Sequence, residues 1–194
     1  MRTRSLKLTF IVLFVFTAGC SDRMDIEDVT IPLLTGYDLD QHDRLLTYTK
    51  IPVFSKDAKK KSHEIGVVSR TLRESRQRED EYAPGLFQGR KILVVLLSKR
   101  SLQHENWFTL MDVYFRDAKN SITSRIAMYD GPLSEVIYLN PADQPFLPIL
   151  LRGMIETKSR RSETVKTSMQ ELHRQMLEKG ITPISPRLCW RIRR

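Results

Sequence analysis

The sequence is poor in the residues and patterns that carry chemistry. Only two of its 194 residues are cysteine, Cys20 and Cys189, so no disulfide framework holds the fold. Its eight glycines are scattered and form no phosphate-cradling loop, and no Gly-x-Ser-x-Gly nucleophile elbow occurs. The histidines are His42, His63, His104 and His173. No two lie at helical metal-ligand spacing and none pairs with cysteine in a zinc pattern, so each reads as a surface or capping histidine. Asp38, Asp40 and Asp43 resemble the start of a calcium loop, but the glycine and glutamate that complete one are missing, which favours a solvated turn. Glu27/Asp28 and Glu79/Asp80/Glu81 are acidic pairs and runs without a base or nucleophile beside them. These absences argue against an enzyme, a resident cofactor or a bound metal.

Long hydrophobic runs are also missing. The longest, from Leu8 to Phe16, falls well short of the roughly 20 apolar residues that span a bilayer. It follows Arg2, Arg4 and Lys7 and precedes Thr17-Ala18-Gly19-Cys20. A basic start, a short apolar stretch and small residues before a cysteine make a lipoprotein export signal. Residues 1–19 are therefore read as a signal peptide removed on export, Cys20 as the lipidated first residue, and 20–28 as a polar tether. This places a folded domain on the outer face of a membrane. The formal charge of +9 is mostly local. Without Arg2, Arg4 and Lys7 it is +6, and without Arg187, Arg191, Arg193 and Arg194 the body is near +2. A nearly balanced body with an export signal argues against a nucleic-acid partner.

What is present is a globular pattern. A hydrophobic fraction of 41% beside 28% charged residues supplies a core and excludes a disordered chain. Runs rich in β-branched and aromatic residues predict strands over 29–34 and 45–54, with a turn between them and a basic loop over 55–62. Ile65, Val68 and Leu72 keep helical spacing and predict a helix over 63–78, capped by Ser62. The stretch 92–97 is apolar at every position, as in a central strand covered on both faces. A helix over 102–117, capped by Ser101, carries Trp107, Phe108, Leu110, Met111, Tyr114 and Phe115 on a wide apolar stripe. A strand over 125–129 follows, then helices over 133–139, over 145–156, and from Ser162 or Thr164 to Gly180, and a proline-containing linker over 182–188. The expected class is α+β or mixed α/β: a small sheet with a central covered strand and flanking helices, followed by a helix-rich part. A subdomain boundary is placed near 120–130.

Several of these stretches resemble one family. Gly19-Cys20-Ser21-Asp22-Arg23 is similar to the lipidated start of the Ger(x)C spore germination lipoproteins, the C subunits of nutrient germinant receptors, in which Trp is usual where this chain has Ser21. Gly36-Tyr37-Asp38-Leu39-Asp40 resembles the family's first strand and turn, and 89–97 its central strand. Leu110-Met111-Asp112-Val113-Tyr114-Phe115-Arg116-Asp117 resembles a helix ending in Arg-Asp, and 145–159 with Thr182-Pro183 the later helix and linker. The resemblance makes 29–187 the family's N-terminal region. Full members carry a further C-terminal domain, whereas 188–194 resembles a basic tail in its place. It implies a non-catalytic subunit, lipid-anchored at Cys20 on the outer face of the inner spore membrane. Such a subunit acts with two multi-spanning receptor subunits and meets the small-molecule germinant only indirectly. Two other readings stand beside it: a solute-binding lipoprotein that captures a small nutrient itself, for which the chain is short, and an exported hydrolase with an unrecognised site.

Overall fold

The computed structural model describes residues 29–54, 58–87, 91–141 and 143–188. The export signal, Cys20, the tether with Glu27 and Asp28, Cys189 and the rest of the basic tail lie outside them. The described chain contains eight strands: β1 (Val29–Thr30), β2 (Leu34–Leu39), β3 (Leu45–Pro52), β4 (Ser62–Ser69), β5 (Leu86–Phe87), β6 (Val94–Ser98), β7 (Arg125–Tyr129) and β8 (Arg187–Leu188). Its helices are α1 (Leu72–Tyr82), α2 (Lys99–Gln103), α3 (Trp107–Leu110), α4 (Asp112–Arg116), α5 (Leu133–Ile137), α6 (Leu147–Arg160) and α7 (Met169–Leu177). Six strands form one mixed sheet in the order β4-β3-β2-β6-β7-β8, antiparallel from β4 to β2 and parallel from β2 to β8. β1 and β5 pair separately. The mixed α/β class is as the sequence predicts.

β6 is the strand on which the layers are built. Its side chains alternate across the pleat. Val95 and Leu97 join Tyr37, Ile126, Met111, Tyr114, Met169 and Leu172 on one face, beneath α1, α4 and α7. Val94 and Leu96 join Leu34, Ala127, Leu133, Ile137, Leu151 and Ile155 on the other, beneath α5 and α6. All five residues of β6 are buried, as expected for a central covered strand. At roughly 25 cal/mol per Å² of apolar surface, these two interfaces are the main favourable term in folding. β7, at Arg125–Tyr129, pairs with β6 along its whole length.

Two predicted helices take a different form. Residues 62–69 are strand β4, and helix α1 begins only at Leu72. Ile65 and Val67 are both buried against Ile51, Ala83 and Phe87, a two-residue period that outweighs the helical spacing of Ile65, Val68 and Leu72. The cap is Thr71, whose Oγ1 accepts from the Glu74 amide at 3.2 Å while Glu74 accepts from the Arg70 amide at 2.9 Å. Ser62, the predicted cap, donates to Glu64 instead. The helix predicted over 102–117 is broken into α2, α3 and α4. Ser98 rather than Ser101 caps α2, and His104 Nδ1 accepts from the Asn106 amide at 3.2 Å, a local bond that competes with helix continuation. The third late helix starts at Met169, capped by Ser168, and Gly180 with φ of 85° lies two residues past its C-cap. The predicted linker is partly sheet, since β8 pairs parallel with β7. Only the tertiary contact with an edge that is already formed recruits so short a strand.

A buried cation fixes α5 against the sheet. Lys50 of β3 is fully inaccessible, and its Nζ donates to Glu64 Oε1 at 2.8 Å and to the carbonyls of Ile137 and Leu139 at 2.9 and 2.8 Å. Those carbonyls are that of the last residue of α5 and that of the residue just past its C-cap, where no intrahelical donor remains and a cation is favoured. Gly36 of β2 lets α5 approach, since a Cβ there would lie 3.1 Å from Leu133 Cδ1. Removing one member of a buried ion pair costs about 3–5 kcal/mol. Lys50→Met is expected to lower the unfolding free energy by about that much in urea titration. Lys50→Met/Glu64→Met should recover only part, because two carbonyls keep no donor.

Candidate functional site

In open α/β sheets ligands bind outside the carboxyl ends of the strands, where successive connections leave on opposite faces. That condition is met between β6 and β7. After β6 the chain turns to α2, whose Ser101 hydroxyl donates to the Tyr37 carbonyl at 3.2 Å. After β7 it turns to α5 on the other face. A cleft of about 580 Å³ opens there, lined by the ends of β2, β6 and β7 and by the first turns of α2 and α5.

Each charged group at the cleft has a partner. Asp38, nearly buried at the end of β2, accepts from the Leu39 amide at 2.8 Å and from the Leu133 amide at 3.4 Å. It thereby places a carboxylate at the N-terminus of α5, where Pro132 offers no side-chain cap. Asp40 closes the β2–β3 turn. Its carboxylate accepts from the Arg44 and His42 amides and from Arg44 Nε. The Arg44 amide first, then its guanidinium and the His42 amide, outweigh partial desolvation and hold Asp40 at about 2. Asp43 sits in the same turn with φ of 55°. Asp130 at the end of β7 pairs with Lys99 of α2 at 3.3 Å and with Arg187 of β8. Arg100 donates to the Leu39 carbonyl. Burial first, then the charge of Asp38 and the proximity of Tyr138, push the Tyr48 phenol up, against a hydrogen bond with Ser134.

The sequence-selected carboxylates thus have structural duties. Asp38, Asp40 and Asp43 form a capped turn and a helix cap, and no cluster able to hold a metal ion occurs among the described residues. Glu79 is buried and accepts from Thr49 Oγ1 at 2.5 Å, while its neighbours Asp80 and Glu81 face solvent. The four histidines stay apart. His42 is exposed at the turn, His63 lies on β4, His104 follows α2, and the His173 ring packs tilted against Phe115 with centroids 4.3 Å apart. What sequence reasoning missed is the cleft itself. Its Lys99 and Asp130, and the Arg187 that pairs with Asp130 from beyond the lining, come from three separate elements and have no shared motif. The only sequence signal is that each stands at the C-terminal end of a strand or in the edge strand beyond. A cleft whose charged groups are each held by an ion pair or by backbone hydrogen bonds offers shape rather than a strong field.

Carboxylates held low stabilise the fold only while ionised. In Glu64, burial pushes the carboxyl up, but bonds from Lys50 and Ser62 and the charges of Lys50 and Lys60 outweigh it and leave it below its usual value. With Asp40 also lowered, from 3.8 to about 2, their contributions are complete above the unfolded values and are lost as pH falls toward the folded ones. Thermal melts are expected to hold steady down to about pH 4.5 and then to drop toward about pH 2. Asp40→Asn should flatten the lower part of that fall.

No helix among the described residues is long and apolar enough to cross a membrane. No curated protein and no solved structure matches the chain. One family model matches, that of the spore germination protein N-terminal domain, over residues 22–188. The match covers the sheet, both helical layers and the cleft, and it bears out the resemblance seen in the sequence. The chain therefore belongs to the spore germination protein N-terminal domain family and has a role in spore germination.

Proposed function

We propose that the protein acts in germination as a lipid-anchored, non-catalytic subunit of a nutrient germinant receptor, through protein–protein contact. Cys20 is the attachment point, on the outer face of the inner spore membrane, and the partners are two multi-spanning receptor subunits. The observation that carries this reading is positional. The family match starts two residues after Cys20, so the entire matched domain lies downstream of the proposed lipid. A single acyl chain binds membranes marginally, whereas the two chains of a diacylglyceryl cysteine anchor stably. The cleft suits such a role, because its charged groups are already engaged within the fold, which favours recognition of another surface by shape. Cys20→Ala is expected to move the protein out of the membrane fraction and to abolish nutrient-triggered germination. Spores of this variant that germinate normally would remove the tether from the mechanism.

The cleft also favours a second reading, a solute-binding lipoprotein that captures a small nutrient itself. Its volume, about 580 Å³, lies in the range of small-molecule sites, and it stands where α/β sheets bind ligands. Calorimetric titration of the purified domain with candidate germinants separates the two. Saturable micromolar binding that Arg100→Gln or Lys99→Gln weakens supports capture, and absence of heat across the series supports contact with proteins.

A further inference from the structure

The end of the sheet opposite the cleft differs from it in kind. Here β2, β6 and β7 begin, β3 gives way to β4, and the chain enters the fold through β1. The β3–β4 connection presents Phe54, 49% exposed, and then Lys59, Lys60 and Lys61, all exposed. Among the described residues none of these three ammonium groups makes a hydrogen bond or ion pair. This contrasts with the paired charges of the cleft. Tyr82 at the end of α1 and Ile122 before β7 stand at the same end, 63% and 43% exposed. Lys91 and Lys119 there offset Asp80 and Glu81, Lys56 offsets Asp57 in the sequence of the connection, and Glu64, which feels the charge of Lys60, is offset by Lys50, so the lysine triplet remains as net positive charge. Free lysines beside exposed aromatic and aliphatic side chains have the composition of an interfacial membrane-binding surface.

We propose that this end docks on a bilayer containing anionic phospholipid, with Lys59, Lys60 and Lys61 against the headgroups and Phe54 inserted among them. The inference rests on the reading of Cys20 as the membrane attachment point. Nine residue steps separate Cys20 from Val29, a reach of about 30 Å at most. The chain enters the fold at the lysine-bearing end, so a short leash brings this end to the surface before any other. Docking there directs the cleft away from the lipid, toward the space where loops of membrane partners or solutes are met. Charge attraction and apolar insertion supply a second attachment besides the lipid.

The test uses the chain from residue 21 to 194, which lacks the lipidated cysteine and keeps every core residue, since all three clusters lie between Leu34 and Leu188. Co-sedimentation with phosphatidylglycerol-containing vesicles is compared with pure phosphatidylcholine vesicles. Binding is expected to the former only, and to weaken as salt rises. Lys59→Gln/Lys60→Gln/Lys61→Gln should lower the partition coefficient on the order of a hundredfold, and Phe54→Ser several-fold. Arg191→Gln/Arg193→Gln/Arg194→Gln, which removes the other basic cluster, should leave most binding in place. No binding to anionic vesicles, a triple lysine variant that binds like the parent, or loss confined to the tail variant would overturn the proposal. Because this chain carries no lipid, its failure would leave the Cys20 anchor standing. Loss of the anchor in the Cys20→Ala experiment would in turn leave the vesicle result intact.

Discussion

The contact on which most of the arrangement depends is the burial of Lys50. A lysine on the inner face of a sheet is costly unless every donor is used. Here the three donors go to Glu64 on the neighbouring strand and to two carbonyls ending α5. One side chain thereby joins β3 to β4 and fastens the C-terminus of α5 to the sheet. The N-terminus of α5 is held from β2 by Asp38. A five-residue helix has little stability of its own. With a cation at one end and a carboxylate at the other, it becomes a rigid wall, and that wall forms one side of the cleft.

The two ends of the sheet then acquire different characters from the same topology. Parallel strands gather the N-termini of α2 and α5 at one end, where Asp130 is neutralised by Lys99 and Arg187 from separate elements and Asp38 and Arg100 are held by backbone groups. The other end collects the chain entry and the β3–β4 connection, whose exposed lysines make no ion pair among the described residues, the nearby Glu64 being bound to Lys50. In the proposed setting the domain would be polarised, with a membrane-directed base and a cleft directed outward. Family membership supplies the process, spore germination, and the polarity offers a physical account of how a small domain could take part in it.

Much of the middle of the fold was legible in the sequence because its signals are local. The unbroken apolar run around Val94–Ser98 admits little besides a strand covered on both faces, and the strand Arg125–Tyr129 has the bounds its composition suggests. The stretch 62–78 was not legible. Ile65, Val67, Val68 and Leu72 satisfy a helical and an alternating pattern alike over so few residues, and pairing with β3 decides between them. The cleft was illegible for a related reason. Lys99, Asp130 and Arg187 are 31 and 57 residues apart and meet only because three strands run parallel in adjacent register.

By itself the sequence determined the mixed α/β class, the covered central strand and the family, because apolar runs, caps and the order of short segments are properties of neighbours along the chain. Only the tertiary structure decided that Lys50 is buried, that Arg187–Leu188 is an edge strand, and that charged groups from three elements meet at Asp130 beside the cleft while three lysines at the opposite end share no such pairing. Those outcomes depend on which strands lie side by side. That order is set by burial of the whole sheet between two helical layers, a cooperative choice that no single segment encodes.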